Sequence, residues 1–272
     1  MALDKKLFDA AEALFSPGMG TEHVGPLLYS MVRMTRPKRA LEVGLGYTSP
    51  FLAQALKDNT EEIKRDLQVL AGQQDDPSRK AVLVPDFYET EYAPSLIAID
   101  DMSLEGSTAP KVQETLKQLE LDTIVDVHNG DFRGYSEKLD LEQLPFDFVW
   151  FDCGGPQEYI EFLNEYWPLI NCDHGILLLH FTYWYADIAE EEDKTFFAHV
   201  LAPIANEIKR QQLNAGHESE FEVLSLLEPH KSRQGSVTMV RKLTDFSMSR
   251  DEDFQTAMDN ITGWKAPPMP KL

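Results

Sequence analysis

The chain is poor in cysteine, in positive charge and in long apolar runs. Its 272 residues include only two cysteines, Cys153 and Cys172, which are too few for a disulfide framework. Lysine and arginine number 25 against 46 acidic residues, and a formal charge of −21 argues against the basic surface that nucleic acid needs. No apolar run reaches the roughly 20 residues of a membrane span, and the N-terminal sequence lacks an uninterrupted signal-peptide core. These absences predict a cytoplasmic protein that binds neither nucleic acid nor a membrane.

The most informative segment of the chain reads as a buried strand, a glycine turn and the start of a helix. Residues 40–43 form a short apolar run typical of a central parallel strand. Gly44 and Gly46 follow, and glycine can take positive φ angles that let backbone N–H groups approach a ligand closely. Thr48 or Ser49 then caps a helix that has a proline in its first turn. The arrangement predicts a nucleotide-cofactor site.

The spacing around the glycines argues against a nicotinamide or flavin cofactor. Such a site has glycine or alanine at its third glycine position and an acid about 20 residues further on. This chain has Ser49 at that position. The next strand that ends in an acid, Leu96–Asp100, finishes 54 residues after Gly46. A nicotinamide oxidoreductase therefore stays a weak alternative.

The segment Glu42-Val-Gly44-Leu-Gly46 instead resembles motif I of the class I S-adenosylmethionine-dependent methyltransferases. Further along, His128–Phe132 is similar to the Gly-Asp-Ala motif of that family. The lead-in to the first strand and the long helix after the fifth look most like the small-molecule O-methyltransferases of the catechol and caffeoyl-CoA type. The seven predicted strands are residues 40–43, 96–100, 123–127, 146–152, 175–181, 221–227 and 235–241.

This resemblance, over roughly residues 20–243, implies an α/β fold. The expected architecture is a Rossmann-like, seven-stranded, mostly parallel sheet with an antiparallel last strand and helices on both faces. It also implies S-adenosylmethionine as cofactor, with Glu42 near its methionine end, Asp100 on both ribose hydroxyls and Asp152 beside the transferring methyl group. The implied cofactor-binding residues are Glu42, Gly44, Gly46, Tyr47, Thr48, Asp100, Asp101, Met102, Asp131, Phe132 and Asp152.

The O-methyltransferases of the catechol and caffeoyl-CoA type, which this chain resembles, hold a divalent cation, and this chain departs from their ligand pattern. Asp152 matches the ligand that follows strand four, but His180-Phe-Thr replaces the acidic or amide pair that follows strand five. Mg²⁺ requires oxygen ligands, so we expect no bound metal. A softer metal on Asp152 and His180, with Cys153 as a third ligand, is an open alternative.

Candidate residues for the methyl acceptor lie in two aromatic stretches and in the lead-in segment. His180 ends strand five close to the expected sulfonium, so it is the best candidate for a general base, with Asp152 as the second catalytic residue. Aromatic rings that follow it can hold flat or cationic substrates, although they can equally close the base of the next helix. The candidate substrate-binding residues are His23, Tyr88, Tyr92, Tyr183 and Trp184.

The chain is expected to form one domain over residues 1–243, followed by a tail over residues 244–272. An insertion at about residues 59–95 separates the first helix from the second strand. Within it, Glu61–Ala71 reads as a separate helix that Gly72 stops. The aromatic residues that follow are expected either to pack as a lid on the domain edge or to form a wall of the substrate pocket or a homodimer contact.

Taken together, these residues predict a methyltransferase that acts on a hydroxyl or amine of a small aromatic or cationic metabolite. The alternative is a non-catalytic, cofactor-binding or regulatory protein that keeps the methyltransferase fold. The missing metal pair favours this alternative, whereas the intact motif I and Asp100 argue against it.

Overall fold

The computed structural model describes residues 5–16, 21–75, 83, 85–183, 202–216, 219–228, 230 and 236–243. The predicted tail therefore lies outside the described residues. The helices are α1 (Lys5–Glu12), α2 (Val24–Thr35), α3 (Ser49–Asp75), α4 (Ala109–Gln118), α5 (Pro156–Tyr166) and α6 (Ala202–Ala215). The strands are β1 (Arg39–Val43), β2 (Ser95–Asp100), β3 (Val125–Asn129), β4 (Phe148–Phe151), β5 (Ile176–His180), β6 (Phe221–Leu226) and β7 (Val237–Lys242). None of the described helices combines the length and the apolar character that a membrane span requires.

The seven strands form one sheet in the order β3-β2-β1-β4-β5-β7-β6. Neighbouring strands among β1 to β5 are parallel, whereas β7 runs antiparallel to both β5 and β6. The predicted Rossmann-like fold is thus confirmed. The strand order reverses between β1 and β4, and open α/β sheets bind their ligands outside the carboxyl ends of the strands at such a point.

Helices cover both faces of the sheet, so the central strands are apolar on both sides. One face packs against α1 to α4, where Phe51 and Leu52 of α3 meet Trp150 of β4 in one core. The other face packs against α5 and α6, with Phe151 of β4 and Phe162 of α5 at its centre. Burial of these faces leaves the carboxyl ends of β1, β2, β4 and β5 together at one edge.

Helix α3 is longer than predicted, because it runs without a break through the expected start and stop of a second helix. Its polar residues Asp58 and Asn59 do not cap a helix end but bond to α2. The Tyr29 hydroxyl donates to Asp58 Oδ2 at 2.5 Å, and Asn59 Nδ2 donates to the carbonyl of Val32 at 2.9 Å. The helix also continues past Gly72 to Asp75. The prediction of a separate helix over residues 61–71 was therefore wrong.

Candidate functional site

The turn after β1 fits closely between β2 and β4. Gly44 has a φ of 95°, a conformation that residues with a side chain rarely adopt. A Cβ atom on Gly44 would lie 2.3 Å from the carbonyl oxygen of Asp152, well inside van der Waals contact. Its N–H donates to the carbonyl of Ile99 at 2.9 Å. Glycine is therefore required here by the chain itself.

Gly46 differs, since it does not take the positive φ expected of it. Its N–H is satisfied locally by the Ser49 hydroxyl at 3.1 Å. A Cβ atom on Gly46 would meet no other atom within 4 Å, so neither backbone strain nor packing in the chain demands glycine. The open space beside Gly46 is what a ligand needs to come close to the backbone.

Asp100 ends β2 beside this turn, with its carboxylate held in a fixed orientation. Oδ2 accepts the N–H of Leu45 at 2.9 Å, and Oδ1 accepts the Ser107 hydroxyl at 2.9 Å. The Thr108 hydroxyl donates to the Leu45 carbonyl at 2.8 Å and secures the turn from the same side. Each carboxylate oxygen has a further lone pair, so Asp100 can still accept two hydroxyl groups.

The loop after β2 is shaped by hydrogen bonds to short polar side chains. Asp101 Oδ1 accepts the Ser103 N–H at 3.0 Å and its hydroxyl at 2.5 Å. The N–H of Met102 donates to Asn129 Oδ1 at 3.1 Å, which ties this loop to the end of β3. Asp101 and Met102 therefore lie directly after Asp100 at the carboxyl edge, and their loop is anchored.

Asp131 and Phe132 follow β3, and their side chains lie in different environments. Asp131 is half-exposed, and Arg133 donates to its two carboxylate oxygens through the backbone N–H at 2.9 Å and Nη1 at 2.8 Å. The Phe132 side chain is buried in the core against Phe151 and Phe162. The ring of Phe132 is therefore part of the core, whereas the Asp131 carboxylate is accessible at this edge.

Glu42 is a fully buried acid in β1. Burial raises the pKa of Glu42 to about 8, and the charges of Asp152 and Asp100 act in the same direction against hydrogen bonds from Thr48 and Ser49. The Thr48 hydroxyl donates to Oε1 at 2.9 Å. Oε2 has no hydrogen-bond partner among the described residues. Near neutral pH Glu42 is therefore largely protonated and can donate a hydrogen bond from this position.

His180 and Asp152 form a direct pair at the ends of β5 and β4. The distance between His180 Nδ1 and Asp152 Oδ1 is 2.7 Å. The His180 ring is fully buried between the rings of Trp150 and Phe181, and its backbone carbonyl accepts the Tyr159 hydroxyl at 2.5 Å. In the neutral form of the ring, this hydrogen bond places the proton on Nδ1 and leaves the lone pair on Nε2.

Three buried polar atoms without a hydrogen-bond partner in the described chain lie on one face of the sheet. They are Glu42 Oε2, Trp150 Nε1 and His180 Nε2. Glu42 is the register partner of Trp150, which pairs in turn with Leu178, two residues before His180. Residues paired in register, or two apart in one strand, point to the same face. Because buried polar atoms are normally satisfied, this row indicates a place for a polar ligand or for ordered water.

The same geometry does not fit the Mg²⁺ site of the caffeoyl-CoA-type relatives. Asp152 accepts the His180 hydrogen bond, and Phe181 and Thr182 offer no carboxylate or amide beside it. Burial raises the pKa of the Cys153 thiol to about 12, so this thiol is protonated in the metal-free protein.

The predicted substrate residues do not come together. The Tyr92 hydroxyl donates to the carbonyl of Pro37 at 2.9 Å, and that of Tyr88 donates to Asp66 at 3.1 Å. Pro37 precedes β1, so Tyr88 and Tyr92 lie at the amino edge of the sheet, away from the carboxyl ends. Their contacts agree with the packing alternative and not with a pocket wall.

The remaining substrate candidates follow β5 or precede α2. Tyr183 lies three residues beyond β5, and its hydroxyl donates to Asn206 Oδ1 at 2.6 Å. Trp184 falls outside the described residues. His23 directly precedes α2, and its side chain is 64% exposed.

Tyr47, predicted at the cofactor, is partly buried and packs edge-on against Phe15.

Sequence reasoning missed Trp150 and Asn129, which contribute polar groups to this edge. Both occupy strand positions where an aromatic or amide side chain reads as ordinary packing. The available signal was position alone, because Trp150 and Asn129 each lie at or near the carboxyl end of a parallel strand, β4 and β3 respectively.

Comparison with solved structures finds the same fold in several methyltransferases. The chain is 19% identical to the O-methyltransferase TomG of Streptomyces achromogenes, crystallised with S-adenosylmethionine (SAM), over 89% of this chain and 91% of that one, with a TM-score of 0.52. It is 14% identical to an O-methyltransferase of Bacillus cereus in complex with S-adenosylhomocysteine (SAH), over 89% and 92% of the chains, with a TM-score of 0.57. An SAH-bound methyltransferase of Podospora anserina is 14% identical over 89% of each chain, with a TM-score of 0.55.

The sequence comparisons differ in their outcome. A search of curated proteins finds no match. The model of the methyltransferase domain family matches residues 41–180, just over half of the chain, from β1 through the end of β5. The chain therefore belongs to the methyltransferase domain family, as its motif I and strand order predict.

Proposed function

We propose that this protein transfers the methyl group of SAM to a hydroxyl or amine of a small aromatic or cationic metabolite. The observation that carries the proposal is the polar edge at the ends of four neighbouring strands. This edge brings together the Gly44–Gly46 turn, Asp100, Asp152 and His180. Membership of the methyltransferase domain family supports the same reaction.

The cofactor is placed across the turn after β1. Asp100 accepts the two ribose hydroxyls through its free lone pairs, and the open space at Gly46 admits the cofactor against the backbone. In this proposal Asp131 binds the adenine, and Phe132, whose ring lies in the core, contributes through its backbone. Protonated Glu42 donates from Oε2 to a polar group at the methionine end.

Methyl transfer needs an acceptor lone pair aligned with the carbon–sulfur bond, and the acceptor proton must leave. His180 Nε2 takes that proton as the acceptor atom bonds to the methyl carbon and the carbon–sulfur bond breaks, which leaves neutral SAH. Asp152 holds the ring in the Nδ1–H tautomer and stabilises the imidazolium that forms. An acceptor must reach Nε2 through the region beyond β5, where Tyr183 is the nearest candidate aromatic residue.

The test compares His180→Gln and Asp152→Asn with the parent protein. We expect kcat to fall by about 10²–10⁴ in His180→Gln, because a general base acts in the transition state, with little change in SAH affinity. His174→Ala is the control, since its side chain is 64% exposed and lies at the amino end of β5.

If kcat falls by less than about threefold in His180→Gln, His180 is not the general base, and positioning of the acceptor is the source of catalysis. A parallel collapse of SAH affinity and thermal stability would make the pair structural. In Asp152→Asn the lower limb of the pH–rate profile should move, because the amide cannot stabilise the imidazolium.

A second candidate function is cofactor binding without turnover. The complete burial of His180 Nε2 favours it, since a base must be reached by its substrate. Tight SAH binding together with no label transfer to any component of a metabolite mixture would support this alternative.

A further inference from the structure

A group of three metal-binding side chains lies outside the proposed methyl-transfer site. It consists of His23, Glu228 and His230, and one ligand atom from each lies within 4.8 Å of the other two. His23 Nε2 is 3.7 Å from Glu228 Oε1, and the two imidazole rings have centroids 6.0 Å apart. Two imidazoles and one carboxylate are a donor set that catalytic zinc sites use.

The fold brings these residues together from distant parts of the sequence. His23 directly precedes α2, whereas Glu228 and His230 follow the end of β6. Strand β6 runs in the same direction as β5, because both are antiparallel to the strand between them. The end of β6 therefore lies at the carboxyl edge. Two strand spacings, about 10 Å, separate β6 from β5.

The group also lies on the same side of the sheet as the row of unpartnered polar atoms. His180 is the register partner of Val237, which pairs with Leu226, and Glu228 follows Leu226 by two residues. The α2 helix, which begins directly after His23, packs on this face. An ion at the group would therefore lie beside the proposed acceptor region and not on a remote surface.

We propose that His23, Glu228 and His230 bind one divalent transition-metal ion of the Zn²⁺ type. Two imidazole nitrogens disfavour Mg²⁺ and Ca²⁺, which take oxygen ligands. Three protein ligands leave at least one position for water or for an oxygen of a small ligand. The site is distinct from the oxygen-ligand site of the caffeoyl-CoA-type relatives, because it uses neither Asp152 nor the residues after β5.

The observed spacing needs only a modest contraction to hold an ion. Ligand atoms about 2.1 Å from a tetrahedral zinc are about 3.4 Å apart. The distance from His23 to Glu228 is 3.7 Å, and the largest separation in the group is at most 4.8 Å. His23 is 64% exposed and His230 is also exposed, so rotamer changes of these rings can close the gap. Glu228 is only 13% exposed, so its carboxylate is more buried than the imidazole of His23.

The chain offers a matched control for this group. His174 is also 64% exposed and lies 3.9 Å from the Asp147 carboxylate, which is 9% exposed. That pair repeats the exposure and separation of His23 and Glu228, but the described residues place no second imidazole or thiol close enough to complete a group of three. A histidine–carboxylate pair alone should bind Zn²⁺ much more weakly than the complete group.

The experiment titrates untagged, chelator-stripped protein with Zn²⁺ alone in a calorimeter, without cofactor or acceptor. The parent should bind one ion, with affinity at least tenfold higher than His23→Ala, His230→Ala or Glu228→Gln. His174→Ala should match the parent, and Mg²⁺ should give no saturable heat. Because His23 and His230 are exposed, their variants should retain the parent's melting temperature in the stripped state.

Failure of the stripped parent to bind one Zn²⁺ would overturn the proposal. Equal affinity in the parent and the three group variants would overturn it as well, and so would an equal loss in His174→Ala. None of these results depends on methyl transfer, so the metal proposal and the proposed function fail separately.

Discussion

Replacing Gly44 by alanine tests the close fit of the turn after β1, which lies between β2 and β4. The added Cβ would lie 2.3 Å from the Asp152 carbonyl oxygen, on a residue held at a φ of 95°. An unfavourable φ costs about 1–3 kcal/mol, and inserting a carbon into packed surroundings costs about 1–3 kcal/mol more. The backbone oxygen cannot swing away as a side chain could. Gly44→Ala should therefore lower the free energy of unfolding by about 2–6 kcal/mol.

Gly46→Ala is the matched control, because it adds the same carbon two residues away. No atom lies within 4 Å of the added Cβ, and the φ of Gly46 is outside the positive region. Its free energy of unfolding should therefore stay within about 0.5 kcal/mol of the parent value. If a ligand uses the open space at Gly46, this variant should nevertheless lose SAH affinity.

Urea unfolding followed by circular dichroism measures both variants, and calorimetry measures their SAH affinity. Unfolding of Gly44→Ala at the parent's urea midpoint, or a lower stability of Gly46→Ala than of Gly44→Ala, would show that the turn does not require glycine at position 44. If Gly46→Ala has both the stability and the SAH affinity of the parent, the cofactor does not occupy the space beside Gly46.

Four further changes test other parts of the site. Asp100→Ala should lower SAH affinity at least tenfold in calorimetry while the fold persists, because two charge-assisted hydrogen bonds are lost. Glu42→Gln should remove a pH dependence of stability. Because the pKa of Glu42 is about 8 in the folded protein, its contribution to stability is present below pH 4.5 and is lost as the pH rises toward 8. Over that pH range the free energy of unfolding of the parent should therefore fall by about 3–5 kcal/mol relative to that of the variant. Tyr159→Phe should lower the free energy of unfolding, measured by urea unfolding, by about 1–3 kcal/mol, because the buried carbonyl of His180 loses its hydrogen-bond donor. Added Mg²⁺ should not raise turnover, because Asp152 is paired with His180 and the residues directly after β5, Phe181 and Thr182, carry no carboxylate or amide.

Local patterns predicted the parts of this protein that depend on neighbouring residues. The strand, turn and helix around Gly44 were predictable because their signals lie within about ten residues. The error at α3 has the opposite origin. The pattern over Glu61–Ala71 reads as a helix of its own, whereas in the structure Asp58 and Asn59 bond to α2 within one continuous helix, a contact that no local pattern shows.

The site residues divide in the same way. The position of Asp100 follows from the strand order of the family, whereas the location of Tyr92 depends on a contact with Pro37 at the opposite edge of the sheet. The meeting of His23 with Glu228 depends on where β6 joins the sheet, and no local pattern in the sequence carries that information.

The most direct test of the proposed function is a calorimetric titration of the parent protein with SAH, with NAD⁺ titrated in parallel under the same conditions. We expect one SAH site per chain and no saturable heat with NAD⁺. Saturable NAD⁺ binding, or no binding of SAH, would contradict the assignment of the Gly44–Gly46 turn and Asp100 to a methyl-donor site.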